Sequence, residues 1–271
     1  MPADAFALAL GAAVLHALWN VLLARTRDPQ AATAAAFCMA VTILAPVAAV
    51  RWRVEAGAWK YIVGSAVFEL AYVLLLSAAF VAAPLSVFYP IARGLAPVLV
   101  LVVAAAALGA ATSWNQALGV CAVGAGILLV RGRRPDRTAT VFGLSIAATI
   151  AGYTLIDNTG VTLADPLAYL EVVMVVPALL TAAVVAVRRG APALRAGFRL
   201  ETVLIAPLML APYALALYAL RLAPAAPVAA VRETSVLFVT VLAAVMLKEH
   251  VSTWRAAGAA LVAAGVVVLV V

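Results

Sequence analysis

Apolar stretches near membrane-crossing length follow one another along almost the whole chain, parted only by short polar breaks. A hydrocarbon core of about 30 Å asks for roughly 20 apolar residues per helix. Ten runs meet or approach that length, near 5–24, 31–50, 61–80, 86–107, 114–130, 138–157, 167–187, 203–220, 228–247 and 254–271. The breaks carry loop chemistry: Arg25 to Gln30, Arg51 to Ala58, the Arg131-Gly-Arg-Arg-Pro-Asp-Arg137 cluster, Asp165-Pro166, and Arg188 to Glu201. None is long enough for a soluble domain. The pattern predicts an all-α integral membrane protein of ten transmembrane helices.

Composition removes the soluble alternative. Of 271 residues, 68% are hydrophobic and 11% charged, and the mean hydropathy is +1.17. A soluble domain of this size would have to show water far more polar surface. The net charge of +7 invites a nucleic-acid reading, but the basic residues sit in short clusters between apolar runs. That is how loops beside anionic lipid look, so membrane lipid is the expected partner and nucleic acid is not. The two cysteines, Cys38 and Cys121, each lie inside an apolar run and read as small buried residues; no spacing suits a metal and no cofactor is implied. The start, Met1-Pro-Ala-Asp4, lacks a positive leader, so the first run is expected to stay as a membrane helix.

The chain echoes itself. A shift of 139 residues lays Arg93 on Arg232, Leu108 on Leu247, Gly119 on Gly258 and Gly126 on Gly265. The basic loop at 131–137 falls at the midpoint, with five predicted helices on either side. Five is odd, so the second copy enters the membrane from the opposite face. The expectation is two inverted five-helix repeats, 1–130 and 138–271, related by a pseudo-two-fold axis in the membrane plane. The glycine pairs Gly119/Gly126 and Gly258/Gly265 mark faces where helix backbones approach closely. They fit a contact within one chain or a homodimer through the same helices.

The polar residues inside the runs are the candidate chemistry. Arg93 lies about two turns inside its run, where a charge costs at least roughly 2.5–3.5 kcal/mol and marks a site by default. Ser86, Tyr89, Pro90, Arg93 and Pro97 form one helical stripe. Pro90 and Pro97 each remove a backbone donor, and carbonyls freed at membrane depth belong beside a cavity or neighbouring helices. Ser65, Glu69 and Tyr72 share a face of the third run, His16, Trp19 and Asn20 one of the first, and Thr149, Tyr153 and Asp157 one of the sixth. Asp157 and Glu171 lie near run ends, where interfacial water competes with a role in the site. His16 alone reads first as a hydrogen-bonded packing residue, and Trp19 as bulk. Arg232 and Glu233, about 100° apart on the ninth helix, are poorly placed to pair with each other. With Glu69, Asp157 and Glu233 set against Arg93 and Arg232, one carboxylate is left over if both arginines pair. It must be protonated, hydrated or matched by a cationic ligand. Glu69, the most central, is the expected holder of an exchangeable proton.

Orientation can be read from loop charge. Of the arginines and lysines outside the runs, with Arg255 at the head of the last run included, twelve fall on the side of Arg25 and Arg131 to Arg137, and four on the side of the termini. The positive-inside rule then favours both termini outside.

The stretch Pro84-Leu-Ser-Val-Phe-Tyr-Pro-Ile-Ala-Arg-Gly-Leu-Ala-Pro97 resembles the fourth-helix signature of EamA-like transporters in the drug/metabolite transporter superfamily. His16-Ala-Leu-Trp-Asn20, Tyr153-Thr-Leu-Ile-Asp157 and Leu247-Lys-Glu249 resemble the same branch. The resemblance implies secondary transport of a small metabolite (an amino acid, amine or similar solute) across the cytoplasmic membrane, usually export, and no enzyme. Tyr72, Tyr89, Arg93, Arg232 and the other deep polar residues then line the substrate path, with proton coupling through a spare carboxylate. Two departures stand out. Gly109-Ala-Ala replaces the acidic residue usual after the fourth helix, and relatives are drawn with cytoplasmic termini, against the charge count. The competing classes are an intramembrane enzyme on a lipid-linked substrate, which would need nucleophile or metal constellations not seen here, and an accessory subunit, which has no use for deep charges.

Overall fold

The structure is a computed structural model that describes residues 1–83, 85–129, 137–238 and 253–270. The described residues include eleven α-helices with both ends defined: α1 (Ala3–Ala24), α2 (Pro29–Val50), α3 (Trp59–Ala82), α4 (Leu85–Ala107), α5 (Trp114–Leu129), α6 (Arg137–Gly160), α7 (Pro166–Arg189), α8 (Ala191–Ala196), α9 (Leu200–Leu222), α10 (Ala225–Arg232) and α11 (Thr253–Val270). Seven of them, α1–α4, α6, α7 and α9, are long and apolar enough to cross a membrane, and α5 and α11 are shorter apolar helices. At 24 residues α3 is about 36 Å long, by a rise of ~1.5 Å per residue. Exposed Val63, Val67, Leu118, Leu179, Leu204 and Val267 cover the outer surface with the apolar side chains that lipid requires.

The plan of ten uninterrupted spans needs correction in two places. The expected loop at 188–201 holds a further helix, the short α8. The expected ninth run, 228–247, is not one helix: α10 ends at Arg232, a turn follows at Glu233-Thr234, and helix resumes from Ser235 to Phe238. Beyond that the run lies outside the described residues, as do Leu247-Lys-Glu249 and the basic cluster except Arg137, which opens α6.

Helix starts are set by the same device twice. Asp28 accepts from the backbone N–H of Ala31 and precedes Pro29, the first residue of α2. Asp165 accepts from the N–H of Leu167 and precedes Pro166, the first residue of α7. A capping carboxylate followed by a proline that needs no donor is a favoured way to open a helix. At the far end of α7, Gly190 takes φ 86°, a left-handed value that glycine adopts without strain, and stops the helix.

Packing follows an exchange of halves. α1 lies on α9 and α6 on α3; α2 touches α9 and α7 touches α3; α2 packs on α7, α5 on α11 and α4 on α10. The ends of α2 and α7 meet crosswise, Asp28 with Arg189 and Arg51 with Asp165, so these two helices run antiparallel.

The α5–α11 contact decides where the glycine faces go. A Cβ on Gly119 would sit 2.8 Å from the Gly265 carbonyl, and one on Gly126 would sit 2.7 Å from that of Gly258. The paired glycines face each other inside one chain, with backbones too close for any side chain between them. Of the two contacts the glycine pattern allowed, within one chain or between two, these glycines make the first.

Candidate functional site

α4 carries Arg93 into the middle of the bundle. Pro90 and Pro97 lie inside this helix without ending it. Pro97 has no N–H to give the Arg93 carbonyl one turn below, which loosens the backbone beside the charge. Arg93 itself is 6% exposed. Its Nε stands 3.1 Å from Glu233 Oε2, an ionic contact outside the angles of a directed hydrogen bond. Its Nη2 lies 3.0 Å from His16 Nε2. A guanidinium only donates, so Nε2 accepts and the histidine proton sits on Nδ1. The guanidinium carbon also lies 5.7 Å from the centre of the Tyr89 ring, within cation–π range. The expected stripe thus holds for Tyr89 and Arg93; the side chain of Ser86 lies outside the described residues.

The second arginine is placed differently. The Glu233 N–H reaches the carbonyls of both Ala229 and Ala230 at 3.2 Å, and the Thr234 N–H and hydroxyl both donate to the Val231 carbonyl, at 3.1 and 2.7 Å. Bonding tightens from four residues to three, and the Thr234 hydroxyl takes a carbonyl the helix would otherwise use. α10 stops there. Arg232 is half-buried, its guanidinium carbon 6.0 Å from the Tyr213 ring centre. Among the described residues it forms no ion pair.

A second polar group lies below. Asp157 of α6 is fully buried. It accepts from the Tyr213 hydroxyl at 2.6 Å and the Tyr169 hydroxyl at 2.8 Å. Of the two places the sequence left open for Asp157, interfacial water or the site, the structure has it inside: α6 runs on to Gly160, so residue 157 is still within the helix, and two phenols take the place of water. Glu69, 6% exposed, faces the Tyr213 hydroxyl and lies within electrostatic reach of Asp157 and Arg232. Ser65, buried on the same face, lies beside Asp157 but its Oγ completes no hydrogen bond among the described residues. The rings of Tyr72, Tyr153 and Tyr213 form a chain, with centroids 6.4 and 6.0 Å apart.

The structure therefore gathers residues from most of the expected faces: His16, Glu69, Tyr72, Tyr89, Arg93, Tyr153, Asp157, Arg232 and Glu233. Trp19 stands edge-on to His16 at 5.2 Å, and its buried indole N–H has no hydrogen-bond partner among the described residues. Asn20 uses its amide on the His16 backbone carbonyl at 2.6 Å, so it braces α1 and does not join the cluster. The charge count also changes. Of the two deep arginines, only Arg93 pairs with a carboxylate among the described residues, while Asp157 is held by tyrosines and Glu69 has no ion-pair partner there. Sequence reasoning missed Tyr213 and Tyr169. The one available signal was a tyrosine next to a proline, Pro212-Tyr213, deep in an apolar run.

A multi-pass helical membrane protein whose halves both feed one buried polar cluster is the class this defines. The family model for the EamA-like transporter family matches residues 5–132 and again 137–271. The chain belongs to that family, within the drug/metabolite transporter superfamily, and is built of two of its repeats. One solved crystal structure is similar over 99% of this chain and 98% of its own, with TM-score 0.78 and 16% identity, a likeness that shows the fold. No match was found among curated proteins. The family is one of transporters, which leaves the enzyme alternative without support.

Proposed function

We propose that the chain is a secondary carrier that moves a small metabolite bearing both an anionic and a cationic group, such as an amino acid or a related amine, across the cytoplasmic membrane by alternating access, in the direction of export. The observation that carries this reading is Arg232. It is a half-buried guanidinium without an ion-pair partner among the described residues, and it faces a region that holds two carboxyl groups and several tyrosines. An arginine at membrane depth needs a counter-charge. A substrate carboxylate is such a group, and Glu69 with the tyrosine rings then offers an acceptor for its ammonium end.

The two repeats, 1–130 and 138–271, are inverted copies in this reading. Support comes from the exchange of packing partners between halves and from the antiparallel course of α2 and α7. Superposing the two halves should lay Arg93 on Arg232 within about one helical turn, ~5.4 Å.

Proton coupling belongs to Glu69. Glu69 and Asp157 share one buried region with a single unpaired arginine, so the ammonium of a substrate and a proton compete for the same carboxyl. The function is tested by a stabilisation screen on purified protein with amino acids, nucleosides and quaternary amines, followed by uptake of the hits into proteoliposomes. Zwitterions should raise the melting temperature and simple cations much less. Stabilisation by none of the three classes would overturn the substrate reading, and chemical change of the solute would overturn transport.

A further inference from the structure

The device that opens α2 and α7 also ties each helix to the other. Asp28, the cap of α2, takes a two-pronged bond from Arg189 at the C-terminal end of α7, Nη1 to Oδ1 at 2.8 Å and Nη2 to Oδ2 at 2.6 Å. Asp165, the cap of α7, takes Nε and Nη2 of Arg51 just past the C-terminal end of α2, at 3.2 and 2.9 Å. Asp-Pro at 28–29 and Asp-Pro at 165–166 hold equivalent places in the two repeats, as do Arg51 and Arg189. One ion pair thus occurs twice, with the halves exchanged, at the two opposite ends of a single helix pair.

Each end has further ties. Near Arg51, the Asp165 N–H donates to the Arg53 carbonyl at 2.7 Å and the Glu55 N–H to the Leu163 carbonyl at 3.0 Å. Near Arg189, α8 lies over the start of α2 so closely that Gly197 abuts the Ala31 carbonyl. In its first two turns α2 buries Ala31, Ala32, Ala34, Ala35 and Ala36, small residues that let neighbouring helices approach closely, and between the ends the Cys38 thiol reaches the Ala178 carbonyl of α7 at 3.9 Å.

We propose that α2 and α7 form a static brace, clasped at both membrane faces, and that access to the site opens elsewhere in the bundle. A carrier that alternates must part at one face while it is closed at the other. Here both clasps are formed at once. The brace also stands apart from the polar cluster: among the described residues α2 supplies no group to it and α7 only Tyr169. Helices that carry the site, α1, α3, α4, α6, α9 and the turn after α10, are left to move against it. Both carboxylates remain charged at neutral pH. The Arg189 guanidinium, helped by the Ala31 N–H, holds Asp28 below the usual carboxylate range. Burial works against the Asp165 charge, but Arg51 and the Leu167 N–H outweigh it and lower its pKa. Any stability from such groups is present above the unfolded carboxylate pKa and lost only as pH falls through the lower folded value.

The role in access rests on the carrier reading, but the test does not use transport. Nitroxide labels go on exposed neighbours that leave the clasps intact, Arg27→Cys with Arg188→Cys at one end and Val50→Cys with Thr162→Cys at the other, with Cys38 and Cys121 replaced by alanine. Double electron–electron resonance in lipid nanodiscs should give one narrow distance at each end. Arg189→Asp, or Arg189→Gln where reversal impairs insertion, should broaden the 27–188 distance and leave 50–162 unchanged. Arg189→Lys, which keeps a charge for Asp28 and leaves the cap of α2 in place, should hold the peak narrower than Arg189→Asp does. Two well-separated distances at either end of the unmodified clasps would show a gate and overturn the brace, as would a 27–188 peak that Arg189→Asp leaves unchanged.

Discussion

Arg93 and Arg232 fall on each other in the 139-residue echo of the sequence, and the bundle treats them in opposite ways. Arg93 lies on an unbroken helix, is almost wholly buried, and spends its guanidinium on Glu233, His16 and the Tyr89 ring. Arg232 lies at the end of a helix that stops, keeps part of its surface open, and contacts only a tyrosine face among the described groups. The neighbour makes the difference. Arg93 is followed by Gly94, whereas Arg232 is followed by Glu233, and that carboxylate crosses to the other repeat's arginine. A duplicated element has been divided in labour: one copy is locked as part of the frame, and the other is left with a charge to satisfy.

Removing the locked arginine should have the largest effect. Arg93→Ala leaves the Glu233 carboxylate buried without its partner, a change that costs about 3–5 kcal/mol in comparable buried pairs. The melting temperature in detergent should fall and transport should be lost. Arg93→Lys keeps the charge but not the planar fork that reaches Glu233 and His16 together. It should insert, melt between the other two, and transport poorly. Full transport by Arg93→Ala would erase the contrast between the two arginines.

Arg232→Ala should separate the roles. No buried pair is broken, so the melting temperature should move little. The loss should fall on substrate affinity, with KM raised on the order of tenfold or more, equivalent to at least about 1.4 kcal/mol. A large drop in stability with KM unchanged would make Arg232 a second frame residue.

Glu69→Gln should leave both arginines in place, weaken the hold on a substrate ammonium and remove coupling. The variant keeps the shape and cannot exchange a proton. In proteoliposomes it should lose accumulation driven by an imposed pH gradient while exchange between two substrate-filled compartments continues. Equal pH-driven accumulation by wild type and variant would return Glu69 to a packing role.

Much of the cluster was legible because deep charge in an apolar run is conspicuous by its cost. Arg93, Glu69 and Arg232 stand out on that ground alone, and helical spacing correctly grouped Tyr89 with Arg93 and Tyr153 with Asp157. What could not be read was partnership across the halves. The Arg93–Glu233 contact joins elements far apart in sequence, and spacing rules speak only within one helix. The same limit hid Tyr213 and Tyr169: a phenol can face lipid headgroups, core or a carboxylate, and its ring does not say which. The glycine faces announced close helix contact but not whether the partner was in the same chain. The end of α10 was invisible too, because Thr234 and Ser235 are tolerated in a continuing helix.

That last feature gives the finest test of the comparison. If α10 stops because the Thr234 hydroxyl captures the Val231 carbonyl, then Thr234→Val, which keeps the shape and removes the donor, should let the helix run on as α4 does. The lost hydrogen bond is worth about 0.5–1.5 kcal/mol, and continued helix bonding offsets part of it, so stability should hardly change. Arg232 would turn with the backbone, away from the Tyr213 ring and out of line with Glu69. Substrate affinity should therefore weaken by roughly two- to tenfold, the range that the same ~0.5–1.5 kcal/mol corresponds to. Thr234→Ser keeps the hydroxyl and should behave as wild type. Unchanged affinity in Thr234→Val would mean that Arg232 owes its freedom to the position after it, and Glu233→Gly, which copies the Arg93-Gly94 pair into the second repeat, would be the variant to compare.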